Sequence, residues 1–226
     1  MRKTITVSAI SDWHGQFLQP IFPGAELVIN SGDWMPNLTR GNRTVEIPYQ
    51  EEWLESNADY IKQWLGDRLM LFCEGNHCFA NVQKILPKYG IRVINITNKI
   101  YIHPETNLSF FGFPFIPYIG GEWNHERLLT DMANEFRIMK MKLADTQINQ
   151  LDVLVCHSPP AGCFDLVDTE HCGNSVLANA MNYEGFEPRY VMCGHIHQSH
   201  KQGQFGPTFI SNAATTQHII HIPYGK

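Results

Sequence analysis

An α/β fold built on more than one sheet is predicted by three observations. Five short, near-continuous apolar runs recur along the chain, amphipathic helical stretches lie between them, and each run delivers an Asp, Asn or His at one end. Fully apolar runs are the mark of strands covered on both faces, and the crevice beyond the C-terminal ends of such strands is where α/β proteins bind ligands.

The first run is Thr4-Ile5-Thr6-Val7-Ser8-Ala9-Ile10, rich in β-branched residues, and it leads into Ser11-Asp12-Trp13-His14-Gly15. Two residues apart on extended backbone, Asp12 and His14 can face the same way. Leu27-Val28-Ile29-Asn30 runs into Gly32-Asp33, and Leu69-Met70-Leu71-Phe72-Cys73 into Gly75-Asn76-His77. Val153-Leu154-Val155-Cys156 meets His157, and Tyr190-Val191-Met192-Cys193 meets Gly194-His195-Ile196-His197. Glycines beside these residues let backbone approach a ligand closely. An isolated Asp-x-His or Gly-Asp is ordinarily a solvated turn; five in one pattern are not.

Between the runs, residues 35–50 carry Pro, Asn, Gly and Arg without periodicity and read as a loop. Residues 51–65 place Trp53, Leu54, Ala58, Ile61, Trp64 and Leu65 at helical spacing, behind acidic residues suited to a helix start. Residues 79–89 are helix-like and Gly90 suits the C-cap. Residues 91–95, 99–103 and 108–112 are short strands opening a second sheet. The aromatic, proline-punctuated stretch 113–123 has no period; it either covers the core edge or walls a pocket. Residues 128–150 are mainly helical with a break near Asp145, 159–172 form a loop, and 173–183 a short helix. Residues 207–212 and 217–222 are strands expected to extend the second sheet.

Composition narrows the function classes. With 226 residues, 43% hydrophobic and 17% charged, the chain can bury a sizeable core, and residues 1–226 are read as a single domain because no boundary interrupts them. A net charge of −5 argues against a surface that grips duplex nucleic acid, though bound cations can reverse the field locally. The six cysteines form no Cys-x-x-Cys pair, and three end buried strands; a reducing cytoplasm is the expected compartment. The N-terminal apolar stretch stops at Asp12, too early for a signal peptide, and no stretch reaches the length of a membrane span.

Asp12-Trp13-His14, Gly32-Asp33, Gly75-Asn76-His77, His157 and Gly194-His195-Ile196-His197 resemble the five ordered motifs of the calcineurin-like metallophosphoesterases. The stretch from His157 through Ser158-Pro159-Pro160-Ala161-Gly162-Cys163-Phe164-Asp165 is also similar to small single-domain members assigned as phosphodiesterases. The resemblance implies a four-layer αββα sandwich of two mixed β-sheets flanked by helices. It implies two divalent metal ions, Mn, Fe or Zn, with Mn expected to support activity in vitro. Asp12, His14 and His197 would hold the first ion, Asn76, His157 and His195 the second, with Asp33 bridging. His77 would supply the proton or positive charge at the leaving-group oxygen.

Elementary chemistry agrees. Carboxylate and amide oxygens mixed with imidazoles suit such ions better than thiolates would, and two ions roughly 3.5–4 Å apart can clamp a phosphoryl group and activate a bridging hydroxide. The expected substrate is a small phosphodiester such as a cyclic nucleotide or dinucleotide, with no membrane partner; oligomeric state is open. A Ser/Thr protein phosphatase or phosphomonoesterase is the alternative, although only Arg40 and Arg43 lie near a motif to hold a dianion. A non-catalytic metal-binding interaction scaffold of the same fold is the reading from another class. Two departures stand out: Cys78 replaces the acid that usually follows Gly-Asn-His, and Trp13 and Trp34 are bulky neighbours that either pack or line the pocket. His103, His125, His171, His200, His218 and His221 match no motif, and Asn212 is expected near the site.

Overall fold

The computed structural model describes residues 3–225. In chain order the elements are β1 (Lys3–Ile10), β2 (Leu27–Asn30), α1 (Arg43–Ser56), α2 (Ala58–Leu65), β3 (Leu69–Phe72), α3 (Val82–Ile85), β4 (Val93–Asn95), β5 (Ile100–Ile102), β6 (Ser109–Phe113), β7 (Ile116–Pro117) and β8 (Glu126–Arg127). There follow α4 (Leu129–Asp145), β9 (Val153–Cys156), β10 (Leu166–Val167), β11 (Glu170–His171), α5 (Ser175–Tyr183), β12 (Tyr190–Cys193), β13 (Gln202–Phe205), β14 (Thr208–Asn212) and β15 (Gln217–Tyr224).

Two mixed sheets dominate. One has the order β15-β1-β2-β3-β4, the other β13-β14-β12-β9-β6-β5. In the first, β1, β2, β3 and β4 are mutually parallel and β15 is antiparallel to β1. In the second, β14, β12, β9 and β6 are parallel, with antiparallel edge strands β13 and β5.

Alternation along each strand decides the layers. Val7, Ala9, Leu27, Ile29 and Leu71 meet Phe110, Val153, Val155 and Met192 between the sheets. The opposite faces, Ile10, Val28, Met70 and Phe72, pack on Leu54, Ile61 and Leu65 of α1 and α2. Phe111, Leu154, Cys156, Val191 and Cys193 pack on Met132, Phe136 and Met139 of α4 and Leu177 of α5. Helices, sheet, sheet and helices thus make four layers, the architecture expected for continuous apolar strands buried on both faces. Among the described residues no helix is long and apolar enough to cross a membrane.

Five local expectations are corrected, the last of them in the 79–89 stretch. Val93–Asn95 joins the first sheet beside β3 rather than opening the second, because the short α3 returns the chain parallel to β3. The C-terminal strand also belongs to the first sheet, pairing with β1 over eight residues, where Ile220 and Ile222 fill the space between the sheets. The stretch 35–50 is not all loop: α1 begins at Arg43, capped by the Asn42 side chain, and contains Pro48. Buried Glu46 and Gln50 tie this helix to neighbouring loops, which outweighs the local cost of proline. The helix expected over 51–65 is two helices, broken at Asn57.

The break near Asp145 is the end of α4, and Gly90 caps its turn in the left-handed region at φ 74°. Only residues 82–85 of the 79–89 stretch are α-helical; the next turn is a 3₁₀ helix containing Pro87.

Candidate metal centre

All five motifs leave the C-terminal ends of parallel strands, three on adjacent strands β1, β2 and β3 and two on adjacent strands β9 and β12. Backbone bonds lace these ends together. Asp12 and His14 donate their N–H groups to the carbonyls of Gly32 and Asp33, at 3.0 and 2.9 Å. His157 donates to Phe113, and Gly194 to His157. Four candidate ligands, Asp12, His14, Asp33 and His195, have φ between 46° and 68°. Left-handed backbone is uncommon for residues with a side chain and persists where surrounding structure over-determines it.

The side chains converge in two groups. Ligand atoms of Asp12, His14 and His197 lie within 4.8 Å of one another, and so do those of Asp33, His157 and His195. Asn76 joins the second group, its Oδ1 2.9 Å from His157 Nε2. All seven residues singled out as ligands are therefore gathered. Asp12 and Asp33 are buried, whereas His197 is exposed.

Two glycines make this convergence possible. A Cβ on Gly75 would stand 2.3 Å from Asp33 Oδ1, and one on Gly194 2.1 Å from Asp12 Oδ2. The backbone of each motif passes where a side chain would displace a carboxylate of another.

The electrostatics ask for a cation. His157 Nδ1 lies 2.8 Å from the Ser31 carbonyl, an acceptor, so this nitrogen carries a hydrogen. In the neutral ring Nε2 is then a lone pair, facing Asn76 Oδ1 at 2.9 Å and Asp33 Oδ2 at 3.0 Å. Three acceptors converging in a buried site are stabilised by a positive charge among them, and the mixture of carboxylate, amide oxygen and imidazole fits a divalent transition-metal ion.

Charge coupling is correspondingly strong. Burial opposes ionisation of Asp33, but the neighbouring His157, His77 and His14 overcome it and hold the carboxyl well below its usual range. Asp12 is lowered for the same kind of reason, burial being outweighed by His157 and His197. Burial acts against the charged form of His157, yet Asp33 and Asp12 raise it to about 9, so a proton on Nε2 supplies the positive charge that these acceptors require and that a metal ion at Nε2 would supply in its place. Burial and repulsion from His157 push His195 down to about 3.

His77 lies beside these groups. Its ring meets His14 edge-on at 4.9 Å and Trp123 at 4.0 Å, and its backbone N–H donates to Asp33 Oδ1 at 2.7 Å. Burial lowers its pKa despite the attraction of Asp33. The 113–123 stretch answers both expectations: Phe113 and Phe115 are buried core, while Trp123 stands against His77.

Cys78 contacts Asp33 instead of serving as an acid. Its sulfur accepts the Asp33 N–H at 3.2 Å, and its thiol, pushed well above its ordinary value by burial, stays protonated. Trp13 and Trp34 pack rather than line the pocket; both are buried in an aromatic cluster with Trp64. Asn212 acts one step back, its amide donating at 3.0 Å to the carbonyls of Ile196 and Phe164 and so fixing the His195–His197 turn. His125 pairs with Glu74 at 2.9 Å. Arg43 bonds Asn124, and Arg40 is exposed.

Sequence reading missed Asn37, Glu46 and Gln50. Gln50 donates to the carbonyls of Pro36 and His77 and accepts from Phe79 and Ala80, while Asn37 bonds the His77 ring at 2.8 Å. No motif marked them, and the aperiodic stretch around them hid the start of α1.

Four layers with carboxylates, an amide and imidazoles gathered at paired strand ends define a metallophosphoesterase. The sequence pattern of the calcineurin-like phosphoesterases matches residues 5–199, and the chain belongs to that family. It is 25% identical over 218 residues to a UPF0046 protein of Caenorhabditis elegans, covering 93% of this chain and 69% of the relative. One solved structure overlays with a TM-score of 0.64 at 14% identity, covering 99% of this chain and 100% of its own. The phosphopantetheinyl hydrolase of Mycobacterium tuberculosis overlays at 0.51 and 15% identity, covering 93% and 89%. These likenesses speak for the fold alone.

Proposed function

We propose that the chain is a dinuclear metal-dependent phosphodiesterase acting on a small phosphodiester, with Asp12, His14 and His197 holding one ion, Asn76, His157 and His195 the other, and Asp33 shared. The observation that carries this reading is the pair of ligand groups meeting beside one unliganded imidazole, His77. Two divalent ions, when bound, would stabilise charge on the phosphoryl oxygens and supply a water of lowered pKa as the nucleophile. Manganese, iron and zinc all suit the donor set.

The chain's own part is positioning and proton supply. Asp33 orients His77 through its backbone N–H. The His77 imidazolium, a stronger acid than free imidazole because it is buried, donates its proton to the leaving-group oxygen as the P–O bond breaks. Trp123 offers an aromatic wall for a base or aryl group on that side. Six free cysteines suit work in a reducing cytoplasm, and residues 1–226 act as one domain in this reading.

The test is a comparison of Mn²⁺-loaded protein on bis-p-nitrophenyl phosphate, p-nitrophenyl phosphate and a phosphopeptide. Dominance of the diester is expected, and dominance of the peptide would overturn the preference. His77→Ala should keep metal near two ions per chain while turnover of an alkyl phosphodiester, whose leaving oxygen needs a proton, falls by about 10²–10⁴-fold; unchanged turnover of that substrate would remove His77 from the reaction.

A further inference from the structure

The acid that usually follows the Gly-Asn-His motif is absent here, and α1 supplies another support for His77. Asn37 Oδ1 is 2.8 Å from His77 Nδ1. The amide nitrogen of Asn37 faces the His77 carbonyl at 3.2 Å and Glu46 Oε2 at 3.4 Å. A backbone carbonyl only accepts, so the Asn37 nitrogen must face it and the Asn37 oxygen must face the ring. His77 Nδ1 therefore carries a hydrogen. Glu46 is fully buried and holds the loop on which Asn37 sits, accepting from the N–H of Leu38 at 3.1 Å and the hydroxyl of Thr39 at 2.6 Å. One turn further along α1, Gln50 donates to the same His77 carbonyl at 2.7 Å.

We propose that Asn37, held by Glu46, is a positioning residue that fixes His77 in its Nδ1–H form and leaves Nε2 as the nitrogen that serves the phosphoester. The inference rests on the role given to His77 above. Its chemistry is balanced: donation from Nε2 to the leaving oxygen leaves a neutral ring protonated at Nδ1, which is the form Asn37 stabilises, so no tautomer exchange is needed before Nε2 takes a proton from solvent. Asn37, Glu46 and Gln50 thus hold His77 through an amide and one face of α1.

The test has a spectroscopic and a kinetic arm. In ¹⁵N-labelled protein loaded with diamagnetic Zn²⁺, the neutral His77 ring, assigned by its loss in His77→Ala, should show a protonated Nδ1 and a bare Nε2. Asn37→Ala should abolish that preference. It should also lower kcat by about 10–100-fold on an alkyl phosphodiester, leave KM nearly unchanged, and affect bis-p-nitrophenyl phosphate far less, because nitrophenolate leaves without a proton. A wild-type ring protonated at Nε2 would overturn the proposal without need of any variant, as would Asn37→Ala with unchanged ¹⁵N pattern and kcat. If the ring behaves as expected while His77→Ala remains fully active, the positioning by Asn37 stands and the role of His77 falls.

Discussion

Gly75→Ala is the sharpest probe of the candidate metal centre, because it adds a single methyl group and no chemistry. The added carbon would stand 2.3 Å from Asp33 Oδ1 and 2.6 Å from His157 Cε1, against an ordinary contact beginning at 3.4 Å. Relief requires a displacement of roughly 1 Å in the proposed shared ligand, a shift of the size that can cost about 10²-fold in rate. The crowding falls on the carboxylate that accepts the His77 N–H, and overpacking of a buried site costs about 1–3 kcal/mol. Gly120→Ala is the control, since nothing lies within 4 Å of a Cβ there. We expect Gly75→Ala to fold, to bind less than two metals per chain after gel filtration, and to lose at least about 10²-fold in diester turnover, with Gly120→Ala unchanged. Metal content by mass spectrometry and the urea midpoint complete the assay. Full metal occupancy and wild-type turnover in Gly75→Ala would refute the placement of Asp33 and His157 as ligands.

For Asp33→Asn, metal should fall well below two ions per chain along with activity; retention of both ions would contradict its sharing between them. Adding Mn²⁺ to chelated wild-type protein at a hundred times its dissociation constant should raise the unfolding free energy by about 2.7 kcal/mol, read as a shift in the urea midpoint, and an unmoved midpoint would show that the folded state holds no ion. Burial, helped by His200, lowers the pKa of His218, so below about 6.5 the unfolded chain takes up a proton that the folded chain resists. Stability from this group is complete above that pH and is lost as pH falls, so His218→Gln should lose less stability than wild type between pH 7.5 and 5.5, and equal losses would refute the assignment.

What the sequence disclosed and what it concealed follow from the range of the physics. The convergence of candidate ligands at the ends of apolar runs was legible because burial on both faces leaves an unbroken signal in Val28, Leu71 or Val155, and the polar residue that ends the run is conspicuous. Sheet membership was not legible for Val93–Asn95 or Gln217–Tyr224, since a short strand carries no mark of its partner; that choice is made by β3 and by the open edge of β1. The start of α1 was hidden because Pro48 reads as a breaker, while the bonds from Glu46 and Gln50 that offset it reach loops distant in sequence. Asn37 escaped for the same reason: its meaning lies in a contact forty residues away.

The pairing of β15 with β1 places the last strand against the first, and the preceding turn is latched to the opening motif by Thr215 donating to Ser11 at 2.9 Å and by the Trp13 indole donating to Thr216 at 3.2 Å. Contacts across some two hundred residues close a long loop, and the packing of β15 on β1 must offset the entropy of that closure. The turn that carries Asp12 and His14, already bonded to Gly32 and Asp33, thus takes a further brace from residues 215–216, so that loosening β15 would reach the candidate metal centre from the opposite end of the sequence.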